Sequence, residues 1–94
     1  MDNRNFIDMA PYEDQFTKLE RLFFERNAVM NIVAYMSDKH FTDAQYQRVF
    51  NDYLKASKAY ESYTYEFENT ILIPLVEGPF HWEADFERRV IYVS

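Results

Sequence analysis

Cysteine is absent from the 94 residues, which excludes disulfides, thiolate metal sites and cysteine nucleophiles together. There is one glycine, Gly78, and there are three prolines. So few turn-forming residues exclude an all-β sandwich or barrel, which needs a turn every ten residues or so. The same scarcity rules out a phosphate-cradling glycine loop or a dinucleotide fingerprint. The two histidines, His40 and His81, stand in no Glu-x-x-His repeat, the pattern by which facing helices hold paired metals. No Ser-His-Asp arrangement can be assembled either, so the chain reads as a non-enzyme with no cofactor.

Basic residues are outnumbered, 10 Lys and Arg against 16 Asp and Glu, giving a net charge of −6. Arg88-Arg89 is the only adjacent basic pair, which is no footprint for a phosphate backbone, and nucleic acid is excluded as a partner. An acidic surface instead suits basic protein or peptide partners, or simply solubility. The longest apolar run, Ile71 to Val76, contains Pro74 and is far too short to span a bilayer. Asp2, Asn3, Asn5 and Asp8 interrupt any apolar leader, so a cytoplasmic location is expected.

What the chain does have is aromatic side chains, 19% of the total. Tyr46, Tyr53, Tyr60 and Phe67 recur every seven residues, with Val49, Phe50, Ser57, Tyr63 and Thr64 between them. That spacing predicts a helix over 42–70 with one nearly continuous face. Thr42 followed by Gln45 forms a capping box at its start, and Phe41 with Tyr46 a hydrophobic staple. Pro74 is expected to end it by forcing Ile73 into an extended conformation. An earlier helix over 11–37 is predicted from Pro11 in the first turn, Glu13 and Asp14 behind it, and the apolar set Phe16, Leu19, Leu22, Phe23, Val29, Met30, Val33 and Met36. Phe24 and Ile32 fall at the edges of that face and hint at a second contact surface. Ser37 to His40 is a connection of the length that joins antiparallel neighbours.

Residues 1–10 read as an extended lead-in, with Phe6, Ile7 and Met9 able to dock on the body. After the Glu77-Gly78-Pro79 turn, strict alternation puts Phe80, Trp82, Ala84 and Phe86 on one face of a strand and His81, Glu83 and Asp85 on the other. Val90 to Val93 is a second β-prone run, so 80–93 reads as a β-hairpin, with a short helix through Glu83 to Val90 as the competitor. The fold class is therefore mainly α: one domain, an antiparallel two-helix hairpin with a C-terminal β-hairpin. A second copy would cover the aromatic stripe and complete a four-helix bundle, so a homodimer is expected.

Candidate contact residues are Tyr63, Tyr65, Trp82, Phe86 and Tyr92, since Tyr and Trp join a large apolar body to a polar tip. Tyr60, Tyr63 and Tyr65, with Glu61 and Glu66, would line a polar-aromatic groove for a peptide; the preferred reading places Tyr60 and Tyr63 in the core with their hydroxyls at its boundary. Tyr65 lies off the main stripe. The row His81, Glu83, Asp85 is the nearest approach to a ligand set, and reads rather as a solvated strand face. An exposed strand edge at Phe80–Phe86 or Val90–Val93 would accept a peptide as an added strand.

Leu19-Glu20-Arg21 with Glu25-Arg26-Asn27-Ala28, Tyr46 through Tyr53, and Trp82-Glu83-Ala84-Asp85-Phe86 give a layout that resembles small accessory proteins of radical-SAM peptide-maturation systems, including the CXXX-repeat peptide modification system proteins. The chain departs from them where tryptophans are expected in the second helix and Tyr60 and Tyr63 stand instead. The resemblance implies a non-catalytic helper that engages a radical-SAM enzyme or its precursor peptide, and it carries over no functional residues. The alternative is a structural or regulatory interaction module, a helical dimer that handles no peptide.

Overall fold

A computed structural model of the chain describes residues 5–37 and 42–94. Its frame is two long helices, α1 (Glu13–Ser37) and α2 (Asp43–Phe67), packed against each other as an antiparallel hairpin. A 3-10 turn at Ala10–Tyr12 leads into α1, with Pro11 where its missing N–H is not needed. At the start of α2 the capping box is complete: Thr42 Oγ1 accepts from the Gln45 N–H at 3.2 Å, and Gln45 Oε1 accepts from the Thr42 N–H at 3.1 Å. Such a cap is worth about 1 kcal/mol. Phe41 and His40 lie outside the described residues, and with them the expected staple and most of the interhelix connection.

Pro74 does not end α2 as expected, because Ile73 is helical, with φ −58° and ψ −44°. The helix widens into a π-turn over Glu68–Leu72 and runs on through Ile73–Leu75. In the wider turn the Ile73 N–H reaches five residues back, to the Glu68 carbonyl. The slack accommodates a proline that would collide with the carbonyl four residues before it in a regular helix. Asn69 and Thr70, poor helix formers, fit here because their side chains donate to the Tyr65 and Glu66 carbonyls, each at 2.8 Å. The extra residue also turns Ile71 and Leu72, adjacent in sequence, both inward.

The expected two-stranded hairpin is the larger part of a three-stranded antiparallel sheet. Strands β1 (Asn5–Asp8), β2 (Trp82–Asp85) and β3 (Val90–Val93) stand in the order β1-β3-β2. The lead-in is thus the third strand, paired from Asn5 opposite Val93 to Asp8 opposite Val90. Val90–Val93 is consequently the central strand and not an open edge, in keeping with four consecutive apolar residues. The β2–β3 turn lacks Gly and Asn because two other residues make it. Asp85 Oδ1 accepts from the Arg88 N–H at 2.9 Å, and Arg89 takes a left-handed conformation with φ 57°. The Arg89 side chain crosses to α1, donating to Thr17 Oγ1 at 2.8 Å and lying 5.1 Å from the centre of the Phe16 ring.

The sheet packs on the open end of the hairpin, where Met9, Phe16, Leu19, Phe67, Ile71, Leu72 and Ile91 form one buried cluster. The far half of the hairpin is thinner. Tyr46, Phe50 and Tyr53 are half-buried, with ring centres 6.0 and 6.2 Å apart along α2. The seven-residue ladder is therefore graded, and only Phe67, at the sheet end, is fully buried. The result is elongated, 49 × 29 × 24 Å. Among the described residues no helix is long and apolar enough to cross a membrane.

Candidate functional site

Trp82, Ala84 and Phe86 face the helices, as their alternation requires, and pack against the buried cluster. Trp82 stacks on Phe67 at 5.9 Å, and Phe86 lies 5.3 Å from Phe16 and 5.2 Å from Phe23. Beside them runs an open groove of about 720 Å³, lined by all five residues from Trp82 to Phe86 and closed by Phe23, Tyr60, Thr64 and Tyr92. Its volume lies in the range of about 300–1,000 Å³ usual for binding clefts. A groove touching consecutive strand residues, whose side chains point to opposite faces, must follow the strand's edge.

That edge can be read from the ladder. His81 and Ser94 exchange both backbone hydrogen bonds, at 2.8 and 2.9 Å, just beyond the Trp82–Val93 pair. In an antiparallel pair hydrogen-bonded and non-hydrogen-bonded positions alternate. Glu83 and Asp85 therefore spend their N–H and C=O groups on β3, while those of Trp82 and Ala84 point away from it, along the groove. No strand among the described residues pairs with that side of β2.

The five sequence-predicted contact residues divide. Trp82, Phe86 and Tyr92 line this groove. Tyr92 is largely buried, and its hydroxyl accepts from Arg88 Nη1 at 3.1 Å; this bond, with Asp85 nearby, pushes the guanidinium pKa up. Tyr63 lies elsewhere, in a shallow depression with Lys18, Leu22 and Glu66, where its hydroxyl donates to the Gln15 carbonyl at 3.3 Å. Burial, with Glu66 alongside, raises its phenol above the ordinary value. Tyr65 is 71% exposed and lines neither.

Phe23, Thr64 and Ala84 join the groove without having been singled out as contact residues. Their only signal is position: Phe23 and Thr64 share the faces that bring α1 and α2 together. Arg26 sits beside Tyr60, its guanidinium 4.4 Å from the ring centre, and its Nε is buried without a partner among the described groups. In the row His81, Glu83, Asp85, the first two are exposed and the third is engaged by Arg88. Among the described residues no three acidic or histidine side chains are grouped to hold a metal ion.

No family model, curated protein or solved structure matches this chain.

Proposed function

We propose that this chain is a non-catalytic binding protein that takes an extended peptide as an added strand on the free edge of β2, and that it assists the post-translational modification of that peptide. One observation carries the reading. The outward N–H and C=O groups of Trp82 and Ala84 open onto an aromatic-walled groove large enough for side chains. Main-chain pairing would supply affinity, and the groove would supply selectivity. The modification role rests on the resemblance to helpers of radical-SAM peptide maturation, in which the peptide is the precursor and the enzyme a second partner.

Backbone hydrogen exchange in the presence of candidate precursor peptides tests it. The amides of Trp82 and Ala84, open in the free protein, should become protected on binding. Protection confined to α1 and α2 would sink strand addition.

A second reading is a homodimer through the helices. Ile32, 49% exposed, lines a depression of about 360 Å³ with Tyr35, Met36 and Val49 at the far end of the hairpin, and Leu54 is 50% exposed further along. A second hairpin would cover such a surface in a four-helix arrangement. Sedimentation would show a dimer that Ile32→Glu dissociates; a concentration-independent monomer would end this reading.

A further inference from the structure

From the homodimer reading, on which it rests, we infer where two copies meet: along the outward side of α1, antiparallel, with Ala28 at the twofold axis. Residues 27–36 are ten in a row without a charge, in a chain that is 28% charged. Six of the ten are nevertheless exposed, among them Ala28, Met30 and Ile32. A helix side open to water ordinarily carries charge, and one that is apolar all round is ordinarily covered. The neighbouring helix obeys that rule, with Asp43, Arg48, Lys55 and Lys58 at exposed positions. Phe24, Ala28 and Ile32 stand four residues apart and so share one row along the outside of α1. Phe24 is 55% and Ile32 49% exposed, and the Phe24 ring is backed by Phe86, with centres 6.0 Å apart. The alanine between them leaves a notch, and small side chains at a crossing let two helices approach closely. Two such rows crossing antiparallel at Ala28 set Phe24 of each copy against Ile32 of the other. That is the self-complementary contact a twofold axis requires.

Area and charge both favour a second copy as the occupant. The chain exposes 6989 Å², where a monomer of 11.4 kDa typically exposes about 5,800 Å². Its radius of gyration is 16.5 Å, against about 12 Å for a globular chain of this length. The surplus of about 1,200 Å² is more than the roughly 800 Å² that each partner buries in a standard interface. With a net charge of −6, two copies repel one another over most of their surface. An uncharged row is where they can meet without setting carboxylate against carboxylate. Beside the row, Glu25 pairs with Arg21 at 3.8 Å, and Arg26 turns inward onto the Tyr60 ring.

The chain has no cysteine, so single cysteines report the contact without background. Oxidation of the full chain carrying Ala28→Cys should give a disulfide-linked dimer. Phe24→Cys and Ile32→Cys should link to each other when mixed, and neither to itself. Like positions four residues from the axis lie about 12 Å apart in this arrangement, beyond a disulfide's reach of about 7 Å. Sedimentation of the unaltered chain should show a dimer. Ala28→Glu should raise its dissociation constant at least about tenfold, with helical dichroism unchanged because Ala28 is exposed. Self-linking of Phe24→Cys would mean parallel helices and overturn the antiparallel register. A dimer that links through Leu54→Cys and not through Ala28→Cys meets over α2, which overturns this contact and leaves the homodimer standing. A chain that is monomeric at every concentration, with no link from any position, overturns both and leaves this face to a different protein.

Discussion

Phe67→Ala is expected to lower the unfolding free energy by about 3–5 kcal/mol, the usual cost of truncating a fully buried phenylalanine. Phe67 is 1% exposed and joins three elements: Tyr63 of its own helix 6.4 Å away, the Trp82 ring of β2, and the cluster under β3. Small domains have about 5–15 kcal/mol to lose, so the variant should be marginal at room temperature. Tyr53→Ala, two steps along the same ladder at the thin end of the hairpin, should cost clearly less, because Tyr53 is only half-buried. Urea unfolding followed by helical dichroism measures both. Equal losses would mean that the core is not concentrated at the sheet end.

Ala84→Pro should abolish peptide binding while leaving the fold nearly intact. The Ala84 N–H is not used by β3, and proline is tolerated where an edge strand turns its N–H to solvent. Removing that donor and placing a ring on the edge should weaken binding by at least about tenfold, or 1.4 kcal/mol. Glu83→Pro, one residue away, should do the reverse. It removes a donor directed at Tyr92 in β3 and so should destabilise the sheet before any peptide is added. Thermal unfolding and Trp82 emission separate the two effects. An Ala84→Pro variant that folds and binds like the parent would exclude pairing at this edge.

The helical hairpin was legible because its signals are local. Thr42 and Gln45 lie three residues apart and make their cap without help from the rest of the chain. The alternation in Trp82–Asp85 was legible for the same reason. The third strand was not, since Asn5–Asp8 becomes a strand only because β3 offers it an unpaired side. Pro74 misled because the local rule assumes a regular helix, and the π-turn changes which carbonyl the proline ring meets. The β2–β3 turn was half legible. Asp85 is a usual turn residue, but Arg89 holds a left-handed conformation that its anchoring to Thr17 and Phe16 helps to pin. The groove was legible only as fragments. Trp82, Phe86 and Tyr92 were named from their chemistry, but the wall they meet comes from Phe23 and Tyr60 on two helices far away in sequence. Tyr63 and Tyr65 failed to join it because neighbouring residues on a helix point in different directions.

The pairing of Asn5–Asp8 with Val90–Val93 also sets an order of events. The two strands are far apart in sequence, and among the described residues β2 pairs only with β3. During folding the helices, stabilised by contacts close in sequence, can form early, whereas the sheet must wait for its central strand to bring both neighbours together. Until then the floor of the groove has no rim and the outward amides of Trp82 and Ala84 have no fixed direction. The free edge of β2 therefore takes shape all at once, when β3 docks.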